Sequence, residues 1–443
     1  LYVRFGKGAA ETELLCGVLL PAAVLICGLF FAVRLDFFRR FGVRKIASEV
    51  FARGDGTQRV PPLRAAMLAL AGTLGVGNIV GVATALGAGG PGALLWMTLA
   101  AVLAAPLKYA EVSLGVLYRR KTAHGFVGGA PYYMRDALGA PRLAVVFSAI
   151  LIVNTLSTGC VVQSAAAAGS VYTAVESLTG GAPQYVPAIV CAAMAAALIP
   201  VMAGGAKRML SLAGALIPVL ALGCTAASVI LFAINAQRLP DVIADIARSA
   251  VGLRSAASGV SGYALAAAVR YGVTRGALSN EAGCGTAPAA HAAADARSPS
   301  AQGCLGVFEV AVDAALCLLT GLVLLVAGVP LSESDGIGPA LDAYGALGGG
   351  ALLCALSFAV VCFAYATLVA QCFYGAGALA YLTRSKPAKA AYFAAFAVCT
   401  AASPFFPPTI VWIAADASIA ALTLLNLAAI TAITVKRRLF LHE

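Results

Sequence analysis

Residues 71–78, Ala71-Gly72-Thr73-Leu74-Gly75-Val76-Gly77-Asn78, place three glycines and an amide inside a run that is otherwise apolar from 63 to 87. Glycine lets a backbone leave the helix without steric cost. Unwound backbone has no partner in lipid, so such a segment has to line a protein cavity. Carbonyls freed there can ligate a cation, and N–H groups at the start of the next half-helix can hold a carboxylate. Small-residue helix packing competes with this reading. Dinucleotide and P-loop readings fail, because the spacing is G-x-x-G-x-G, no Lys-Ser/Thr pair follows and no strand precedes.

Working outward, similar apolar runs recur from end to end. Of the 443 residues 61% are hydrophobic and 11% charged, against about 25% charged in soluble domains, and the mean hydropathy is +0.91. The fold class is therefore an all-α polytopic membrane protein. Spans are expected near 12–34, 63–87, 92–118, 143–170, 184–203, 209–234, 257–275, 302–329, 348–382, 389–405 and 408–434, eleven in all. The first reads as a retained helix, since a basic, aromatic-rich stretch follows it in place of a cleavage site. Setting it aside leaves five plus five spans of opposite topology, an inverted repeat. The expected organisation is 1–60 as an added helix and basic loop, 61–240 as the first repeat and 241–443 as the second. Ser258-Gly259-Val260-Ser261-Gly262 opens the second repeat, and glycine-interrupted spans at matching positions of two halves point to a transport site.

The net charge of +11 does not imply nucleic acid. Lys and Arg cluster between apolar runs at 39–45, 119–121, 207–208, 384–389 and 436–438, with no aromatic-interleaved stripe. That is the positive-inside pattern of a cell membrane protein with its N-terminus outside and its C-terminus in the cytoplasm. The twelve cysteines include no C-x-x-C pair and read as small buried hydrophobes.

Several polar residues fall inside or beside spans. Glu309 and Asp313 share a helix face; Asp313 either biases a cavity toward cations or pairs with a base such as Arg270. Asn280 and Glu281 end the seventh span as a brace or a gate. Lys108 and Glu111 read as snorkelling near a helix end, and Asp416 as structural. His291 follows Cys284 by seven residues, but no third group orients such a pair. Scattered histidines and missing H-E-x-x-H and G-x-S-x-G motifs leave a membrane-embedded enzyme as the weaker alternative. A channel or a scaffold fits paired glycine breaks less well than an alternating-access carrier does.

Three stretches carry a family resemblance: GTLGVGNIVGVA at 72–83 with GGPGA at 89–93, GGAPYYM at 128–134, and YGVTRGALSNEAGCGTAP at 271–288 leading to His291. With them the chain resembles the alanine/glycine:cation symporters, sodium-coupled carriers of small neutral amino acids. The resemblance implies a leucine-transporter-like five-plus-five repeat with one added helix. It implies that Val76 and Gly77 offer N–H groups to a substrate carboxylate. Ala71 and Leu74 would offer carbonyls, and Thr367 a hydroxyl, to one sodium, a hard cation suited to oxygen ligands. Thr73, Gly75 and Asn78 would lie nearer the substrate or a second ion, Gln163 near the substrate, and Gly259 and Gly262 along the wall facing it. The chain departs from the family at Gln371, where an aromatic is usual, at Ala165 and Ala166, where asparagine tends to follow the glutamine, and at Ser258. An amide in place of a ring predicts polar or larger neutral substrates, such as glutamine or serine, beside alanine and glycine. Sodium is the expected coupling ion and no cofactor is expected. Proton coupling is the rival, with Glu309, Asp313 or Asp416 as relay.

Overall fold

The computed structural model describes residues 15–52, 60–123, 125–252, 261–331 and 337–437. Helices dominate; the described strands are one antiparallel hairpin, β1 (Arg120–Thr122) and β2 (Gly125–Val127), with Arg120 opposite Val127. In chain order the helices are α1 (Leu20–Arg34), α2 (Val43–Val50), α3 (Pro62–Thr73), α4 (Val82–Gly89), α5 (Ala93–Leu117), α6 (Ala130–Asp136), α7 (Pro141–Leu156) and α8 (Gln163–Thr179). They continue as α9 (Val186–Ala203), α10 (Gly205–Ile234), α11 (Leu239–Ala250), α12 (Ser261–Ser279), α13 (Ala287–Ala292), α14 (Pro299–Ala327), α15 (Gly338–Leu382), α16 (Lys386–Ala402) and α17 (Pro408–Arg437).

Eight helical stretches among the described residues are long and apolar enough to cross a membrane, or nine if the bent pair Pro62–Thr73 and Gly77–Gly89 is one span. The chain is a multi-pass membrane protein. The count falls short of eleven for two local reasons. The α12 helix carries Arg270 and Arg275 among alanines, and α16 has only 17 residues. Both are helical where spans were expected.

Several helical regions depart from α geometry, among them a π turn at Leu15–Leu19 before α1. Five residues of π-helix, Gly77–Gly81, precede α4, and a π segment Ser157–Val162 joins α7 to α8; such bulges are frequent at functional sites. In α15, Gly349 takes φ 69° and ψ −171°. This divides the element into a short arm, 338–348, and a long shaft, 350–382.

The shaft, α5 and α14 each carry a long series of buried residues. Glycines allow the approach of α12 to α5. A methyl group built on Gly272 would collide with the Ala93 carbonyl, and one on Gly276 would lie 2.7 Å from the Met97 carbonyl. Gly272 and Gly276 are four apart, the small-xxx-small spacing that brings helices together without a hydrophobic driving force. At one end of the bundle Phe41 stacks on Phe37 and lies 4.4 Å from the Tyr109 ring. There the Arg119 guanidinium covers Phe126 at 3.9 Å and donates to the Ala294 carbonyl.

Gly276→Leu is expected to force α12 off α5 and to destabilise the protein by about 1–3 kcal/mol. The same change at Gly262, exposed and without neighbours among the described residues, is expected to stay within about 0.5 kcal/mol. Thermal unfolding in detergent distinguishes the two.

Candidate functional site

The glycine-rich stretch is a broken helix. The two halves meet at 53°. The Gly75 amide turns back to the Thr73 carbonyl at 2.8 Å, and the Val76 amide donates to Gln163 Oε1 at 3.1 Å. These two amides are thus diverted from the carbonyls of Ala71 and Gly72, their partners in an unbroken helix. Thr367 Oγ1 lies 3.5 Å from the Leu74 carbonyl and donates to the Phe363 carbonyl at 3.0 Å. Gly75 is glycine because Gln163 and Thr367 close over it: a methyl group there would lie 2.7 Å from Gln163 Oε1 and 2.9 Å from Thr367 Oγ1. Thr73 spends its hydroxyl on the Leu70 carbonyl at 3.1 Å. Gly77 is exposed, with open space around it.

A second non-helical stretch, 280–286, joins α12 to α13 and is buried throughout. It holds three left-handed residues, Glu281 (φ 46°), Gly283 (φ 86°) and Gly285 (φ 76°). Several of its polar groups find partners, though Asn280 Nδ2 has none. Lys108 donates to the Asn280 carbonyl at 3.1 Å, and the Gly285 amide donates to Glu111 Oε2 at 3.1 Å. Asn426 donates to the Gly283 carbonyl at 2.8 Å and to Glu111 Oε2 at 3.1 Å. Glu281 accepts from Thr286 at 2.6 Å and from Gln371 at 3.3 Å.

Lys108 and Glu111 do not snorkel. Both are fully buried, and Lys108 Nζ lies 3.0 Å from Glu309 and 3.7 Å from Glu111. Reaching the interface would leave the loop carbonyl and two carboxylates without the ammonium, which is why the lysine turns inward. His291 accepts from Gln302 at Nδ1, 2.8 Å, so its Nε2–H faces Glu309 at 3.1 Å.

The two breaks meet at Asp313. Asn78 Nδ2 donates to it at 2.6 Å from the first, and Ser279 Oγ, at the last residue of α12, donates at 3.1 Å from the edge of the second. Arg270 lies beside Gly17 and over the Tyr271 ring. Asn78 also lines a cavity of about 30 Å³ with Leu74, Gly75, Ser228, Thr320 and Tyr344, room for about two water-sized groups.

The structure thus brings Gly75, Val76, Gln163, Leu74 and Thr367 together, and Asn78 with Asp313. Gln371 lies against Gly159, where a methyl group would be 2.6 Å from its Cβ, and reaches Glu281. Gly262 sits in the first turn of α12, and Gly259 lies outside the described residues.

The profile of the sodium:alanine symporter family matches residues 8–440. The chain belongs to that family. The sodium/alanine symporter AgcS of Methanococcus maripaludis is 31% identical over 90% of this chain and 88% of its own length. The probable sodium/glutamine symporter GlnT of Bacillus subtilis is 30% identical over 84% and 77%. An uncharacterized transporter of Haemophilus influenzae is 32% identical over 89% and 87%. The family consists of sodium-linked amino-acid transporters.

Two features of the site escape a hydropathy reading. The signal the sequence offers for the loop at 280–286 is the glycine pair of Gly283 and Gly285 following two polar residues, and for the lysine it is Lys108 and Glu111 three apart inside an apolar run; neither signal by itself separates a buried site from a helix end. Lys108→Met is expected to destabilise by about 3–5 kcal/mol, since it strands buried carboxylates. Adding Glu309→Gln is expected to recover part of the loss. A double-mutant cycle of unfolding temperatures tests the coupling.

Proposed function

We propose that this chain imports small neutral amino acids together with sodium by alternating access. The observation that carries the reading is the first break, where the Val76 amide N–H, the Leu74 carbonyl and the Thr367 hydroxyl converge. Two oxygens bound to one cation at about 2.4 Å and at right angles lie about 3.4 Å apart. The Leu74 carbonyl and Thr367 Oγ1 stand 3.5 Å apart, which supports a sodium between them, with Ala71 supplying a further carbonyl. The Val76 amide is met by an amide oxygen of Gln163; a substrate carboxylate would take that oxygen's place, with the exposed Gly77 beside it.

The relatives named for alanine and glutamine support a substrate of that class. Gln371 in place of a ring favours the polar end of it. Counting the bent pair, α12 and α16 as spans gives the eleven of the repeat scheme, with 1–60 added to 61–240 and 241–443. The basic clusters then face the cytoplasm and the N-terminus lies outside.

Proteoliposomes given radiolabelled alanine, serine and glutamine are expected to accumulate at least one of them when sodium is high outside. No accumulation under sodium or proton gradients would sink the reading. Thr367→Val removes one oxygen ligand, and a loss of about 1–2 kcal/mol is expected to raise the sodium concentration for half-maximal uptake roughly tenfold.

A further inference from the structure

We infer that the turn between α1 and α2, with Arg39, Arg40, Arg44 and Lys45, is a docking site for an anionic phospholipid. The basic side chains take its phosphate, and its acyl chains lie along α1. The inference goes beyond the symport reading and does not depend on it.

Ile26, Leu29 and Val33 are each more than half exposed. They stand three and four apart on α1 and so form one outward stripe. In a multi-pass membrane protein such a stripe meets lipid chains. The helix ends at Arg34, and the chain turns at Asp36, which takes a left-handed φ of 47°. Phe38, also more than half exposed, and then the basic residues follow at once. An apolar stripe that runs into a basic turn matches the order of parts in a phospholipid, chains first and then phosphate.

Positive charge is in excess here. Residues 34–52 hold five basic side chains, Arg34, Arg39, Arg40, Arg44 and Lys45, against two acidic ones, Asp36 and Glu49. Asp36 is shared between Arg39 at 3.8 Å and Arg40 at 3.7 Å, all three well exposed, and exposed pairs of this kind are weak. Arg44 and Lys45 are exposed and form no ion pair among the described residues; Lys45 rests over the Phe41 ring at 4.4 Å. Basic residues of other clusters are spent within the protein. Arg119 donates to the Ala294 carbonyl and covers Phe126, Arg120 and Arg135 hold Asp136, and Arg208 donates to the Pro200 carbonyl. An exposed guanidinium suits a phosphate, which it can grip with two parallel N–H groups.

The α2 helix carries the pattern onward. Val43, Ile46, Ala47 and Val50 fall on one face. Val50 packs with Ala66 of α3 and Leu305 of α14, and Ile46 and Phe308 join them. Arg44, Lys45 and Ser48 are exposed, and so are the apolar Val43 and Phe51 at the two ends. That is the make-up of a helix lying in the plane of a membrane interface. A soluble acidic partner would match the charges but leave Phe38, Val43 and Phe51 bare, so the surface favours a lipid.

Native mass spectrometry of the purified full-length chain in a neutral detergent, titrated with phosphatidylglycerol or with phosphatidylcholine, tests the site. Phosphatidylglycerol is expected to bind about tenfold more tightly or better. Arg39→Gln/Arg40→Gln/Arg44→Gln is expected to lose that preference. Arg384→Gln/Lys386→Gln, which removes exposed charge from another cluster, is expected to keep it. Equal binding of the two lipids by wild type overturns the inference. So does a triple variant that keeps the preference, or a control variant that loses as much. Glycerol phosphate, the anion without its chains, is expected not to displace the lipid; full displacement would mark a site for free anions and overturn the lipid as occupant. The lipid comparison and the displacement need wild type alone, so they decide the matter even if the triple variant fails to fold.

Discussion

A peptide that leaves the helix inside an apolar bilayer has to find its hydrogen bonds within the protein. Much of the arrangement around residues 71–78 and 280–286 follows from that demand. The Val76 amide needs an acceptor, so Gln163 is drawn in from α8. The Gly285 amide needs one, so a carboxylate, Glu111, is buried in α5. A buried carboxylate needs a cation, and Lys108 answers for Glu111 and Glu309 together while also capping the Asn280 carbonyl. Gln163, Glu111 and Lys108 can each be traced back to a backbone group that a regular helix would have satisfied unaided.

The same demand explains the close contacts. Gln163, Thr367 and Gln371 can reach the breaks because Gly75 and Gly159 carry no side chain. The π segments at 77–81 and 157–162 lie against this region, where an added residue per turn re-aims the groups that follow. Tyr133, Asn426 and Glu111 then extend the network from the loop to α6 and α17. Helices far apart in the chain are joined by a few buried polar contacts set in an otherwise apolar bundle.

Much of the fold was legible in the sequence, because apolar length and loop charge are local quantities. The first break was legible for a similar reason: three glycines and an asparagine in an apolar run admit few readings. The second was harder. Residues 258–262 offered a glycine pair in the expected place, yet α12 is helical from Ser261, and the described non-helical stretch begins at Asn280. What separates the two is burial by Lys108, Glu111, Gln371 and Asn426, four residues spread over more than three hundred positions. No window of sequence contains that information. Lys108 shows the same gap: a lysine eight residues after Ala100 looks free to reach an interface until Glu309 is known to face it.

The kink at Gly349 separates two roles within one helix. The arm before it carries Tyr344, whose hydroxyl meets Ser228 at 3.4 Å over the cavity, while the shaft after it carries Thr367 and Gln371 at the breaks. In a carrier driven by an ion gradient, the ratio of solute inside to outside at which net flux stops depends on the ions that move and on nothing in the roof. Were the proposed symport to run through this chain with the arm over its path, a looser or tighter arm would change how quickly that ratio is approached and leave its value alone, so variation at the arm would retune turnover without altering the gradient of solute that can finally be held.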